Sequence, residues 1–371
     1  MRILVWQWGR RGGAPRNCVD WADGFAAVPG FSSVYSLSAR AELLHDPDAP
    51  TPDLVVDTYG DTVGYVLRAM SAPRLVPRLI RWLRMLAPDI ALCAMPGPLD
   101  LAMYAALRAL DIPMAVVVHD ADPHPGDGYP MQMVLQRALV RRADAVVALS
   151  DHVARRLDAQ GLLRGKILIR SALPATKLPE LPPARSRGGP FRLLSFGRLL
   201  PYKGLDLLAV ALTELLPDPG LVVRVVGHGP ERPELEALRA LPGVTVENRW
   251  VPDVEIPDLL GWADGLVLSH REASQSGVAV AALAARRLLV ATRVGGLAEQ
   301  VGNNPAAILC DVSAEGLTAA LRQMMASPAP GPHAPADDGA IAMLARDLAK
   351  ALGRRRRRGV AQVALARAAS P

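Results

Sequence analysis

Residues 193–207 read LLSFGRLLPYKGLDL. A short apolar run stops at Gly197, Arg198 and Lys203 follow five residues apart, and an apolar helical pattern begins at Leu205. That is the composition of a buried strand handing over to a helix. Strand ends and helix starts present free backbone N–H groups to anions, and two fixed cations add charge, so the spacing suits a diphosphate clamp. The ligand it points to is a nucleotide carrying a pyrophosphate. A basic residue in such a loop is also commonly just solvated, and the segments further along the chain bear on the choice.

Outward from this stretch, short apolar runs alternate with helical patterns. Strands are expected near 191–196, 221–226, 243–247, 265–268, 288–291 and 306–309, and in the first half at 3–6, 54–56, 90–94, 114–118, 145–149 and 167–169. Amphipathic or Ala-rich helices fall between them, as at 99–110 and 131–142. Strands alternating with helices imply βαβ units and a mainly parallel sheet, so each half reads as a Rossmann-like α/β domain. Residues 172–190 hold five prolines and two glycines with no period, which is a linker composition. The expected organisation is a first domain at 1–174, a linker at 175–190, a second domain at 191–338, a helix at 339–353 packing back on the first domain, and a basic tail at 354–371 that is disordered or a frayed helix. Ligands of open α/β sheets bind at the carboxyl ends of the strands, so the site is expected in a cleft between the two domains.

A chain of 371 residues, half of them hydrophobic, can build two cores. Aromatic residues are only 4%, and the apolar mass is Ala, Leu and Val, as suits helices on a buried sheet. The net charge of +6, from 42 Lys and Arg against 36 Asp and Glu, is too mild for a nucleic-acid binder. Cys18, Cys93 and Cys310 are odd in number, widely spaced and without metal spacing, so they read as reduced thiols of a cytosolic protein. The N-terminal MRILVWQWGRRGG lacks the apolar stretch of a secretory signal, and no window approaches a membrane span. Any membrane contact should be peripheral. Residues 74–86, RLVPRLIRWLRML, set Arg74, Arg78, Arg81 and Arg84 on one helical face and Leu75, Leu79, Trp82 and Leu86 on the other. That face and the run from Arg354 through Arg358 are candidates for an anionic membrane surface, with core packing and a solvated tail as the alternatives.

Chemistry-bearing residues cluster at strand ends. Residues 221–230, LVVRVVGHGP, end a strand in Gly227, His228 and Gly229, either as a tight turn or as a close backbone approach to a ligand. Residues 268–282, LSHREASQSGVAVAA, crowd Glu272, Ser274, Gln275, Ser276 and Gly277 ahead of a helix. Hydroxyl, amide and backbone donors at a helix start suit an anion, and Glu272 can accept from sugar hydroxyls; an N-cap with a solvated glutamate is the plainer alternative. Residues 290–301, VATRVGGLAEQV, repeat the pattern, with Gly295 and Gly296 opening a helix and Glu299 in its first turn. In the first half, Gly12 and Gly13 lie in the basic loop 9–16, and His119 ends the strand in VVVHDADPHPG at 116–126, with Asp122 and His124 just beyond. The spacing of those last residues does not make a metal site.

Taken in order, GRLLPYKG, VVGHGP, ADGLVLSHREASQSG and VATRVGGLAE resemble the retaining glycosyltransferases of family 4, which have the GT-B fold of two Rossmann-like domains facing across a cleft. The resemblance is tightest over 191–326 and looser in the first half. It implies that Arg198 and Lys203, with Ser276 and Gly277, bind the diphosphate of a nucleotide sugar. It also implies that Glu272 holds the donor sugar's hydroxyls, and it sets Ser274, Gln275, Gly227 and Gly229 around the donor. The loop of Gly12 and Gly13 is similar to one that faces the donor from the first domain, and His119 to a histidine that positions the transferred sugar. No metal or cofactor is implied. The acceptor implied is a saccharide or lipid-linked saccharide, handled at the inner face of the plasma membrane in surface polysaccharide or glycolipid assembly. One position departs from the pattern: eight residues after Glu272, where the family commonly has a ribose-binding glutamate, stands Val280. A variant EASQSG subset or an inactive GT-B partner protein would account for that departure; the other alternative, a nucleotide-sugar epimerase of the same fold, would want extra acids and histidines around the sugar, for which the candidates are His119, His228 and Glu272.

Overall fold

The structure is a computed structural model that describes the chain except residues 47–48, 61, 128–130, 185–187, 217–219, 303, 330–338 and 369–371. The chain divides into two compact units. Residues 1–122, 129–174 and 338–371 form the first, and residues 123–128 with 175–337 the second.

The first unit runs β1 (Arg2–Gln7), α1 (Gly13–Ala26), β2 (Ser32–Ser38), β3 (Leu54–Val56), α2 (Thr62–Leu86), β4 (Ile90–Cys93), α3 (Asp100–Arg108), β5 (Met114–Val118), α4 (Gln132–Arg142), β6 (Ala145–Ala148), α5 (Asp151–Ala159) and β7 (Ile167–Arg170). The second runs β8 (Phe191–Phe196), α6 (Leu205–Leu215), β9 (Leu221–Gly227), α7 (Pro233–Arg239), β10 (Val244–Asn248), α8 (Ile256–Trp262), β11 (Gly265–Leu268), α9 (Gly277–Ala284), β12 (Leu288–Thr292), α10 (Gly295–Val301), β13 (Ala307–Cys310) and α11 (Ala314–Ala326). The last helix, α12 (Gly339–Ala368), belongs to the first unit.

The seven strands of the first sheet are parallel in the order β3-β2-β1-β4-β5-β6-β7. Helices cover both faces, so central strands are apolar on both sides; β5, MAVVV, is buried at every residue. Fully burying one such side chain contributes about 1.5–3 kcal/mol. Six of the seven strands follow the apolar runs of the sequence. The seventh, β2, is SSVYSLS, and its apolar signal is diluted by buried serines: Ser36 Oγ accepts from Trp8 Nε1 at 2.9 Å, and the Ser38 and Thr58 hydroxyls are 2.6 Å apart.

Helix α2 begins twelve residues before Arg74 and contains Pro73 and Pro77. Its apolar face is core: Leu79 and Leu83 are almost fully buried, and Trp82 Nε1 donates to Asp53 O at 3.2 Å. The tryptophan considered for a membrane surface is thus a core residue. Arg74, Arg78, Arg81 and Arg84 are exposed beside Met85. Helix α12 inserts Ile341, Leu344, Leu348 and Leu352 into the cluster that holds Trp21 and Phe25 of α1. A Cβ on Gly24 would lie 2.6 Å from Ile341 Cδ1, which shows how closely the two helices meet. The helix expected at 339–353 continues to Ala368, along the basic run for which disorder or a frayed helix was expected. The side chains of 354–368 lie outside those described.

In the second unit six parallel strands run β10-β9-β8-β11-β12-β13. One core lies under α6 and α11, the other under α8 to α10. The linker stretch packs here: Leu178 and Leu181 lean on the second core, and the buried Arg287 donates to Leu260 O at 2.7 Å and to Pro182 O at 2.6 Å. Each sheet reverses its strand order once, between β1 and β4 in the first and between β8 and β11 in the second. Such reversals open a crevice at the carboxyl ends of the strands, and they locate the candidate site.

Candidate functional site

In the second unit the chain ends leaving β8 and β11 form a small pocket lined by Arg198, Lys203, Ser269 and His270 among others. The turn bearing Lys203 is fixed by its backbone. Gly204 has φ 64°, and a Cβ there would lie 2.1 Å from Ser269 O, so only glycine lets the turn sit on the end of β11. Two hydrogen bonds knit the same seam: Ser269 Oγ donates to Lys203 O at 2.8 Å, and Arg271 N donates to Tyr202 O at 2.8 Å. Lys203 Nζ then reaches His270 Nε2 at 2.7 Å and lies 5.1 Å from the centre of the Tyr202 ring.

Arg198 is half exposed, contacts Tyr202 Oη at 3.2 Å and pairs with Asp127. Asp127 belongs to the segment 123–128, which clusters with this unit although it follows β5 in sequence. From the same segment, His124 stacks on Tyr202 at 4.7 Å between ring centres and brings Nδ1 to 3.7 Å from Glu272 Oε2. Glu272 is otherwise largely exposed. Tyr202 and His124 thus link the cations that follow β8 to the carboxylate that follows β11.

The rest of the EASQSG loop is held from behind. Ser276 caps α9, its Oγ accepting from Ala279 N at 3.4 Å. Gln300 of α10 grips the Ser276 backbone on both sides, accepting from its N–H at 2.8 Å and donating to its carbonyl at 3.0 Å. Ser274 and Ser276 are buried, Gly277 is exposed with open space where a Cβ would go, and Gln275 Oε1 is buried with no hydrogen-bond partner among the described residues. Val280 lies half-buried on α9. Glu299 is the fifth residue of α10, beyond the first turn in which it was expected.

Gly227 and Gly229 have a structural reason to be glycine. A Cβ on Gly227 would lie 1.6 Å from Gly197 O, and one on Gly229 would lie 2.1 Å from Leu199 O. The turn after β9 thus packs against the turn that carries Arg198, joined to it by Leu199 N donating to His228 O at 2.9 Å. His228 itself is exposed.

In the first unit, His119 ends β5 and is buried. Its Nε2 donates to Ala94 O at 2.9 Å, which fixes the tautomer with Nδ1 unprotonated, and burial holds its pKa below the ordinary value. Gly12 caps α1 with φ 79°, and Gly13 is already its first helical residue; both are exposed. The structure thus gathers Arg198, Lys203, Gly227, Gly229, Glu272, Ser274, Gln275, Ser276 and Gly277 in the second unit, and Gly12, Gly13 and His119 in the first. Asp122 pairs with Arg156 at 2.6 Å. Among the described residues no three His, Cys, Asp or Glu side chains converge as metal ligands, and no helix is long and apolar enough to cross a membrane. The three cysteines are buried, and burial pushes their thiols upward, away from reactivity.

Sequence reasoning passed over four members of this neighbourhood. His270 stood inside a quoted motif at a strand end, the same signal that singled out His119. Tyr202, Asp127 and Gln300 join through contacts between distant stretches and had no local signal.

The whole fold has solved counterparts. Sucrose-phosphate synthase from Thermosynechococcus elongatus superposes with a TM-score of 0.65 at 15% identity, covering 99% of this chain and all of that one. Anabaena HepE in complex with UDP and glucose gives 0.63 at 16% identity over 98% and 99% of the two chains. The class is therefore a GT-B α/β protein of two Rossmann-like domains. Residues 12–171 match the glycosyl transferase 4-like domain, and residues 190–327 match glycosyl transferases group 1. With the fold, these matches support a glycosyltransferase of the GT-B type. Glycogen synthase of Mycobacterium tuberculosis is 30% identical over 242 residues, 61% of this chain, and the chain spans only 57% of that enzyme's length. The 2-deoxystreptamine glucosyltransferase of Streptomyces kanamyceticus is 26% identical over 66% of each chain.

Proposed function

We propose that this protein transfers a sugar from a nucleotide-diphosphate donor to a saccharide or lipid-linked acceptor, with retention of configuration, in the assembly of a surface polysaccharide or glycolipid. The observation that carries the reading is the pocket with Arg198 and Lys203 after β8, linked through Tyr202 and His124 to Glu272 after β11, at the strand-order reversal of the second sheet. The matches to glycosyltransferase domains and the UDP and glucose held by a similar fold support it.

In this reading Arg198 and Lys203 receive the diphosphate and stabilise the charge that develops on the leaving phosphate, a role in which fixed cations need no metal partner. Gly277 at the start of α9 and the N-cap residue Ser276 bind the same diphosphate, and Ser274 and Gln275 shape the wall behind it. Gly227 and Gly229 act by letting the two turns meet, which places Arg198. Glu272 accepts from hydroxyls of the transferred sugar, and the leaving phosphate serves as the base for the incoming hydroxyl. By the family resemblance alone, His119 and the loop of Gly12 and Gly13 are assigned to the transferred sugar. Val280 leaves the ribose without the expected carboxylate. The exposed arginines of α2, with the run from Arg354, supply a peripheral contact with an anionic membrane surface at the inner face of the plasma membrane.

The test is turnover of a panel of UDP-, GDP- and ADP-sugars. Slow hydrolysis or transfer is expected with one donor, lost in Glu272→Ala and in Lys203→Ala while both variants keep the wild-type melting profile. Tight nucleotide binding with no turnover on any donor, given a broad acceptor extract, would instead make the protein a non-catalytic partner.

A further inference from the structure

The reading of Lys203 as a diphosphate ligand raises the question of what holds a flexible four-carbon side chain on the pocket. An unrestrained ammonium loses rotamer freedom when it binds an anion, and that loss weakens binding. Resting on that reading, we infer that His270 is a positioning residue for the diphosphate site, its Nε2 accepting a hydrogen bond from Lys203 and presenting that cation to the ligand.

Three observations carry this. His270 is 2% exposed and lines the same pocket as Lys203 and Arg198, so its ring cannot swing away from the pair. The 2.7 Å contact runs from an ammonium, which only donates, so Nε2 must accept and the proton must sit on Nδ1. Its backbone is immobilised as well, since Thr292 Oγ1 donates to His270 O at 2.6 Å and the neighbouring Ser269 and Arg271 are bonded to the turn of Lys203. The donor is thereby held between a fixed acceptor and the Tyr202 ring.

The charges around the ring favour the neutral form that this bond needs. Burial first, then the charges of Lys203 and His124, hold the His270 pKa well below the ordinary value. Tyr202 meets the ring edge-on at 6.2 Å, Arg271 is occupied by Asp206, and Glu272 faces His124. Protonated His270 could not accept from Lys203.

The experiment titrates UDP, GDP and ADP separately into the full chain and into His270→Phe, His270→Gln, Lys203→Ala and the Phe/Ala double variant. Phenylalanine keeps the ring volume without an acceptor, and glutamine returns an acceptor near the place of Nε2. For the nucleotide that binds the wild type, His270→Phe should weaken affinity on the order of tenfold, a typical size for a lost charge-assisted hydrogen bond. His270→Gln should recover most of it, and the double variant should bind no worse than Lys203→Ala. Wild-type affinity in His270→Phe, or losses that multiply in the double variant, would overturn the inference. Loss of affinity in both His270 variants alike would also overturn it, by showing a packing role. If Lys203→Ala itself binds as the wild type does, it is the diphosphate reading that fails, and the His270 inference goes with it.

Discussion

Replacing Gly227 by alanine tests whether the Arg198 turn is built by backbone contact. The new Cβ would stand 1.6 Å from Gly197 O and 2.7 Å from its carbonyl carbon, where ordinary contact begins at 3.4 Å. The opposing atoms are backbone and have no rotamer to change, so one turn must move by about 2 Å. That movement strains Gly197 N–H donating to Val226 O at 3.1 Å and Leu199 N–H donating to His228 O at 2.9 Å. Overpacking at about 1–3 kcal/mol plus two weakened bonds at about 1 kcal/mol each gives a loss of about 3–5 kcal/mol. In a unit of this size that lowers the melting temperature by roughly 10 °C, read by circular dichroism or dye fluorescence. Gly277→Ala is the internal control: nothing lies within 4 Å of its Cβ, and it opens a helix, so its stability should equal or slightly exceed the wild type. Nucleotide affinity should fall in Gly227→Ala because Arg198 is displaced. A Gly227→Ala protein that melts within about 2 °C of wild type would refute the close contact between the turns.

Two further outcomes follow from buried groups. Burial pushes the Asp100 carboxyl up to about 6, although Trp6 Nε1, Gly97 N and Cys93 Sγ all donate to it. The folded state therefore holds that proton more tightly than the unfolded state does, and the stabilisation present below the unfolded pKa of about 4 is lost as pH rises to about 6. The stability difference between Asp100→Asn and wild type should shift by about 3 kcal/mol in favour of the variant across that interval; a difference constant with pH in urea melts would contradict it. Arg287→Met removes the donor to Leu260 O and Pro182 O, and should cost about 2 kcal/mol and speed proteolysis at 175–184; unchanged cleavage would show that this stretch is held by other contacts.

Much of the architecture was legible because parallel strands buried on both faces must be continuous apolar runs, and six such runs in the second half all became strands. Strand β2 was hidden because its buried positions include serines paired with Trp8 and Thr58, a polarity that only tertiary contact explains. Helix α2 extends twelve residues upstream of the stretch 74–86 read from the sequence, and it runs through Pro73 and Pro77, both at exposed positions. Within the site, cations and acids at strand ends could be read from local spacing. The partners that orient them could not: Asp127 reaches Arg198 from 71 residues away, and Lys203 meets His270 across 67.

The placement of α12 bears on how the chain is made. Its leucines complete a core whose other walls come from α1 and the first sheet, so the second unit is an insertion within the first. During synthesis at about 5–20 residues per second, the first unit waits roughly 10–30 s with that face open while the inserted unit emerges. The second unit is contiguous apart from the short segment 123–128 and can close first. The order of completion is thus the reverse of the order in which the two units begin.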